Sequence, residues 1–368
     1  MIQIQVIWVY IITIINYSQQ LLTNYVVSYT MVKYHNRIKM RPKMFKLSQL
    51  NNISQLPDLV LCPLNSWDLI SVTGEDRITF LQGQLTCDLT NLKPGQQTLA
   101  AQCNPQGKVW SIFRVIILND RILLTQPKSV TAKQLPELQK YATFSKVTIN
   151  IETEYQLLGL AGCKSAAYIA KNFDISATRE ESHLLGDDQG VIIKQPYPSL
   201  RYLMIVKNQQ AMHLTEDLKD QADIYDDSLW NAMNIASGVA FIEQETSGLF
   251  IPQMLNLQAL NGISFTKGCY IGQETVARAK YRGANKRALF ILTGRATEAP
   301  KAGQNVQVLL NNNWKRVGTI LSGCQYGDGH IEVLAILPKD SDSQSVYQIQ
   351  EIEGSTLYYA PLPYELDD

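Results

Sequence analysis

"KGCYIGQETVARAK", Lys267 to Lys280, is the stretch on which the reading of this chain turns. Gly268 precedes Cys269 and Gly272 follows it by three residues, and beyond Gly272 the pattern becomes regular. Glu274 and Arg278 stand at i,i+4, a favourable helical pair. The chain therefore turns tightly around Cys269 and enters a helix. Two chemistries are open. A free cysteine usually behaves as a small buried hydrophobe. A cysteine at or just before a helix N-terminus, with Lys267 two residues upstream, is instead drawn toward thiolate by the dipole and the cation. Gly268 and Gly272 remove side-chain bulk, so another molecule can approach the backbone. The free N–H groups of the helix start, at Gln273 and Glu274, would receive a carboxylate.

Downstream, Arg278, Lys280, Arg282, Lys286 and Arg287 place five cations in ten residues with no acid among them. Such a run is either a solvated helix end or a local docking strip for anions, phosphates included. The charge of the whole chain adds nothing to the second option. Its 33 basic and 33 acidic residues cancel, so nucleic acid or membrane would have to be met locally. The six cysteines, Cys62, Cys87, Cys103, Cys163, Cys269 and Cys324, show no CxxC spacing. No zinc or iron–sulfur ligand set follows from them, and dispersed cysteines in a chain of this size read as reduced and cytosolic.

With 368 residues and 45% hydrophobic composition, the chain can build two or three domains with cores of their own. The apolar run Ile2–Ile15 is shorter than the roughly 20 residues of a membrane helix and is interrupted by Gln3 and Gln5. It lacks the flanks of a signal peptide. Met31, Met40 and Met44 are alternative starts, and residues 1–55 read as an extension outside the fold.

From Leu64 the pattern is crisp. "SWDLISVTG" reads as a strand closed by Gly74, and "EDRITFLQGQL" as a helix with Ile78, Leu81 and Leu85 on one face. Strands follow around Thr98–Cys103 and Val109–Leu118, joined by "NPQG" as a type I turn, and then Ile122–Thr125. Residues 128–142 are helical, with Pro136 expected to kink or split them. From Ile151 the order strand, helix, strand, strand, helix (157–160, 164–172, 190–194, 202–207, 209–219) is that of a split β-α-β unit. "DSLWNAMNIASGVA" is an amphipathic helix capped by Asp227 or Ser228. From Arg287 onward short alternating strands and turns specify a small all-β barrel.

The whole stretch from Leu249 to Leu289 resembles the folate-binding, tRNA-modifying YgfZ proteins of bacteria, whose signature is K-G-C-[YF]-x-G-Q-E. "SWDLISVTGEDRITFLQGQLTCDL", "NPQGKVWSIFRV", "YATFSKVTI" and the terminal "PLPYELDD" match as well, so the resemblance covers about Leu64 to Asp368. It implies an α+β fold like the aminomethyltransferase (T-protein) of glycine cleavage, a three-domain ring around a channel for tetrahydrofolate. The domains would be 56–150 with 226–286, a ferredoxin-like split β-α-β unit at 151–225, and the barrel at 287–368. It further implies a cytoplasmic monomer with no membrane contact that serves iron–sulfur tRNA-modifying enzymes such as methylthiotransferases. A regulatory link to the initiation of chromosome replication is also implied. The family's functional cysteine carries over to Cys269, which with Lys267 would face the folate, and its folate-contacting tryptophan to Trp67, with Gly268, Gly272, Gln273 and Glu274 as further folate-binding positions.

Two departures qualify this. T-proteins carry a carboxylate that works at the folate amine, on the strand that here reads Gly107-Lys108-Val109-Trp110-Ser111. Without an acid there, aminomethyl transfer loses its positioned proton acceptor. A second folate-contacting tryptophan is expected near Ile192–Tyr197, where only Tyr197 offers a ring. The reading is thus a folate-binding accessory protein, with a one-carbon transferase using Cys269 as the alternative. A weak tRNA contact through Arg278–Arg287 is a third possibility.

Overall fold

In a computed structural model of the chain, the structure describes residues 44–173, 182–185, 190–283 and 285–366. The chain divides into two compact units, 1–44 and 45–368, and the second carries the fold described below. The apolar run Ile2–Ile15 and the alternative starts Met31 and Met40 lie outside the described residues. Among the described residues no helix is long and apolar enough to cross a membrane.

Three β structures share one core. The first sheet is antiparallel, built from β2 (Trp67–Thr73), β3 (Gln97–Cys103), β4 (Val109–Ile117), β5 (Arg121–Pro127) and β6 (Thr148–Ile151), in the order β3-β4-β5-β2-β6. The second contains β1 (Val60–Pro63), β7 (Tyr155–Ala161), β8 (Ser182–Leu185), β9 (Gly190–Gln195), β10 (Arg201–Lys207) and β11 (Asp223–Tyr225), in the order β11-β1-β7-β10-β9-β8, with the two-residue strand Met44–Phe45 at the outer edge of β11. Helices α3 (Ser165–Phe173) and α4 (Asn208–Leu218) lie between its strands in sequence. The split β-α-β order expected for 151–225 is present. The sheet is larger than that order: β8, β11 and β1 were not anticipated in it, and β1 inserts between β7 and β11, antiparallel to the first and parallel to the second. Residues 60–63 therefore belong to the second sheet rather than to the first domain.

The third structure is a closed barrel of β12 (Arg287–Arg295), β13 (Asn305–Leu310), β14 (Asn313–Gln325), β15 (His330–Pro338), β16 (Tyr347–Ile349) and β17 (Thr356–Ala360). This agrees with the all-β reading of the C-terminal segment.

Strand alternation explains how three subdomains make one site. Successive side chains of a strand point to opposite faces. On β4, Ile112 and Ile116 enter a central core, while Phe113, Val115 and Ile117 fill a separate core under the first sheet. On β10, Leu203 and Ile205 face the central core, while Met204 and Val206 face the layer of α3 and α4. On β12, Leu289 and Ile291 face the central core, and Ala288, Phe290 and Leu292 fill the barrel. Strands apolar on both faces are what such a three-way junction requires.

Helix α5 (Asp227–Ala236) occupies that junction. Leu229, Trp230, Ala232, Met233 and Ile235 are all buried in the central core. Its cap is Asp226, whose carboxylate accepts from the Ser228 amide at 3.2 Å, rather than Asp227 or Ser228. The helix expected over 128–142 runs unbroken through Pro136 as α2 (Lys128–Gln139) and ends in a 3₁₀ turn, Lys140–Ala142.

The fold also begins earlier than the hydrophobic pattern suggested. Leu47 and Leu50 are 3% and 6% exposed within the central core, and Phe45 stacks on Tyr225 at 5.4 Å. Leu50 O accepts from the Gly327 amide at 2.8 Å. Residues 45–55 are therefore part of the fold. They escaped notice because they form a two-residue edge strand beside β11 and two 3₁₀ turns, which carry no periodicity.

Candidate functional site

The Cys269 turn is stitched down from several directions. Ahead of it, Thr86 donates its hydroxyl to Gly262 O at 2.6 Å, and the Ser264 amide donates to Thr86 O at 2.8 Å. Lys267 is buried, and its ammonium donates to Leu85 O at 2.8 Å and Cys87 O at 2.6 Å, 5.2 Å from the Tyr270 ring centroid. Tyr270 is buried, and the Ile271 amide donates to Gly83 O at 3.1 Å. Helix α6 (Gln273–Tyr281) then starts from Gly272, whose φ of 83° is left-handed. A Cβ on Gly272 would lie 2.6 Å from Asn104 O, so this position is closed to any larger residue. Gly268 has open space where a Cβ would be.

This geometry corrects two parts of the electrostatic argument for a thiolate. The Lys267 ammonium is committed to the Leu85 and Cys87 carbonyls, so it acts as a clamp on the turn. Helix α6 begins at Gln273, four residues beyond Cys269, and dipole effects fade within the first turn. What remains is exposure: Cys269 is a free, solvent-accessible thiol on a rigid turn. Cys62, Cys87, Cys103 and Cys324 are buried, and burial raises each thiol above its ordinary value.

The cationic strip is also smaller than its sequence. Arg287 donates to Val317 O at 2.6 Å and Ile336 O at 2.9 Å, and so serves the barrel. Arg278 pairs with Glu274 at 2.6 Å, which engages that carboxylate on the helix surface. Lys280 lies 3.8 Å over the Phe265 ring. Arg282 and Lys286 are exposed, and Gln273 is half-buried with its amide donating to Tyr270 O.

Trp67 belongs to a different part of the molecule: Lys267, Gly268, Cys269, Gly272, Gln273 and Glu274, expected around the same folate, line neither of the spaces beside it. It opens β2, is half-buried, and meets Phe241 edge to face with centroids 4.6 Å apart. These two rings wall two adjoining spaces. One is a cleft of ≈ 330 Å³ lined by Ser66, Lys128 and Ser129 of the first subdomain, by Asp227, Ser228 and Asn231 of α5, by Glu243, and by Ser322 of the barrel. Asp227 accepts from the Ser66 amide at 2.6 Å, and Glu243 accepts from the Ser129 hydroxyl. The other is an inner chamber of ≈ 10 Å³ that adds Arg114, Thr125, Gln195, Trp230 and Asn234.

Tyr197 lines neither space and is 55% exposed. The ring that joins Trp67 at the chamber is Trp230 on α5. Sequence reasoning passed over Trp230 because a tryptophan on the apolar face of a helix reads as core. Its proximity to Arg201, 4.4 Å from the Trp230 centroid, was not visible in sequence either. Arg201 is 1% exposed and donates to Asn234 Oδ1 at 2.9 Å and to the Ser237 hydroxyl at 3.2 Å. Burial, and then the like charge of Arg114, pull it down to about 9; burial alone takes Arg114 to about 10. Both stay cationic at neutral pH, and neither has an acidic partner among the described residues.

Comparison with known proteins agrees with this architecture. Residues 38–188 match the GCVT N-terminal domain and residues 285–352 match the YgfZ β-barrel domain. Among solved structures, the chain is similar to the glycine cleavage system aminomethyltransferase T of Bartonella henselae. The identity is 17% over 84% of this chain and 86% of that one, with a TM-score of 0.62, which establishes the fold. A heterotetrameric sarcosine oxidase of Corynebacterium sp. U-96 also matches, at 14% identity over 44% of this chain and 82% of that one. At a TM-score of 0.32 that likeness carries no argument.

Proposed function

We propose that this chain, which belongs to the YgfZ family, binds a reduced folate beneath Trp67 and serves in the cytoplasm as an accessory factor for tRNA modification. The observation that carries the binding reading is the pairing of Trp67 and Trp230 around one chamber, beside a cleft of ≈ 330 Å³ at the junction of three subdomains. Small-molecule sites are usually clefts of about 300–1,000 Å³, and this one sets Trp67, Pro127, Val239 and Phe241 among polar groups. The residues present fit a folate. Flat indole faces suit its rings, and the buried amides of Gln195 and Asn234 each hold an atom without a partner. Bound there, a reduced folate would supply amines able to carry a one-carbon unit.

The chain's own part is to bind, orient and shield. Trp67 and Phe241 offer ring surface, Trp230 closes the inner end, and the central core keeps water from the far side. The accessory reading rests on the strand Val109–Ile117 and its approach through Lys108, which present no carboxylate to a folate amine. Its exposed thiol, Cys269, stands apart from the lining of both spaces. It is available to a protein partner, and iron–sulfur enzymes that modify tRNA are the clients proposed.

Titration of the full chain with tetrahydrofolate should quench tryptophan fluorescence to saturation, and Trp67→Phe should remove most of the change. An unquenched wild type would end the folate reading. Steady turnover of methylene-tetrahydrofolate with an amine or thiol acceptor would instead favour a one-carbon transferase.

A further inference from the structure

The β13–β14 hairpin of the barrel is a surface that the folate reading leaves unused. Leu310 pairs with Asn313, so Asn311 and Asn312 alone form the turn, both left-handed at φ 49° and 65°. A two-residue turn of this kind matches the twist of its strands and fixes their register. Trp314 stands opposite Leu309 and Arg316 opposite Gln307. Side chains alternate along a strand, and Val308, between Leu309 and Gln307, is buried in the barrel. Trp314, Leu309 and Arg316 therefore share the outer face, where Trp314 is 40% exposed.

The fold ties this face to the end of α6. Arg287 donates to Val317 O, one residue beyond Arg316. Burial, and then the like charge of Arg316, hold Arg287 below its ordinary value, so the two cations are neighbours in space. Arg282, Lys286, Lys315 and Arg316 are all exposed, and none has an acidic partner among the described residues. Where the row starts, Tyr281 is 70% exposed, meets Phe265 edge to face at 6.5 Å, and has the Lys280 ammonium 5.9 Å from its centroid. The result is a run of cations with an accessible ring at each end, Tyr281 on the helix and Trp314 on the hairpin.

This arrangement selects among partners. Cations gathered without acids call for a polyanion. An acidic peptide would meet the cations but bring no flat faces to the two rings. A bilayer would have to desolvate the three amides, Asn311 to Asn313, with which the hairpin leads. A single nucleic-acid strand brings phosphates for the cations and bases for the rings. We propose that the outer face of this hairpin and the end of α6 bind a single-stranded segment of RNA, with Trp314 and Tyr281 stacking on bases and Arg316, Lys286 and Arg282 meeting phosphates. The choice of RNA rests on the tRNA-modification reading above, whereas the stacking and the charge stand without it. Such a surface prefers an unpaired strand, whose bases can be splayed onto rings, and tolerates any sequence, because every base has a π-face.

The test is anisotropy titration of the full chain into a labelled, unpaired RNA of about 12 nucleotides. The same strand annealed to its complement, the matching DNA strand, a polyglutamate peptide and vesicles of anionic lipid serve as competitors. Wild type should bind the single strand at least about tenfold more tightly than the duplex, more weakly as salt rises. Trp314→Ala and Tyr281→Ala should each weaken binding at least about fivefold. Arg316→Gln and Lys286→Gln should each lower the slope of log K against log salt by about 0.7. Lys93→Gln, which removes an exposed cation of the first subdomain, should change neither quantity. Equal binding of the duplex, or full affinity in both ring variants, would overturn the inference, leaving charge alone. Tighter binding of the peptide or the vesicles would overturn it in favour of that partner, and tighter binding of the DNA strand would overturn the choice of RNA. Quenching by tetrahydrofolate should be the same in these variants as in wild type. Quenching without RNA binding would therefore remove this inference alone, and RNA binding without quenching would remove the folate reading alone.

Discussion

Gly272 and Gly107 pack backbone against backbone: a Cβ on Gly272 would lie 2.9 Å from the Cα of Gly107. One belongs to the turn that carries Cys269, the other to the hairpin between β3 and β4. Gly107 in turn leaves no room beside Thr275, whose Cβ would be 2.6 Å from an added methyl. The cysteine turn is thus a rigid platform built on the first sheet.

Substitution at the two glycines of the turn should separate platform from access. Gly272→Ala meets both a left-handed φ and backbone atoms, so it should cost about 1–3 kcal/mol or more. Gly268→Ala meets open space and should change stability by no more than about 0.5 kcal/mol. Urea midpoints measure both, and equal losses would contradict the packing described.

Trp67→Ala should weaken tetrahydrofolate binding several-fold, since ring stacking contributes about 0.5–1.5 kcal/mol beyond buried area. Tyr197→Ala should leave affinity unchanged, because Tyr197 lines neither space. Isothermal titration of the two variants checks the assignment, and the reverse ranking would restore Tyr197 to the site.

Lys267 predicts a pH signature. Burial pulls its ammonium down from 10.5 to about 8, against the raising effect of Cys87 and Asp88. Between those values the unfolded chain holds a proton that the folded chain has released, so this group's contribution to stability rises with pH. Its burial cost is fully present below about pH 8 and is relieved above it. The stability of wild type relative to Lys267→Met should therefore increase from about pH 7 to about pH 9.5. A flat or falling difference would mean that the ammonium is solvated.

Alkylation of the native protein with iodoacetamide, followed by peptide mass spectrometry, should modify Cys269 and, more slowly, Cys163. Both are exposed, but the Cys163 thiol donates to Asp58 at 3.3 Å, which raises it above the ordinary cysteine range. The four buried thiols should react only on unfolding. Cys269→Ser should melt close to wild type yet fail to restore tRNA methylthiolation in cells lacking the protein. Full restoration would remove the thiol from the mechanism.

A chain starting at Met44 should fold and bind like the full one, because the compact unit begins at Phe45. A chain starting at Pro57 loses Leu47 and Leu50 from the central core. Large-to-small losses of that kind cost about 2–5 kcal/mol each. Thermal melts of the two truncations would show the difference, and equal stability would place residues 45–55 outside the fold.

Sequence by itself determined the elements and the turn. The glycine spacing around Cys269, the helix after it, the split β-α-β order and the barrel are local patterns, set by φ, by side-chain periodicity and by turn chemistry. The meeting of distant residues was decided only in three dimensions. Lys267 finds the Leu85 carbonyl across 182 positions, and Ser66 finds Asp227 across 161. Trp230 reads as core on its own helix and becomes a chamber wall only because α5 is seated where three subdomains join. Buried polar atoms such as those of Gln195, Arg201 and Asn234 acquire meaning from the partners that surround them, and burial at a junction is a property of the packed core, not of any window of sequence.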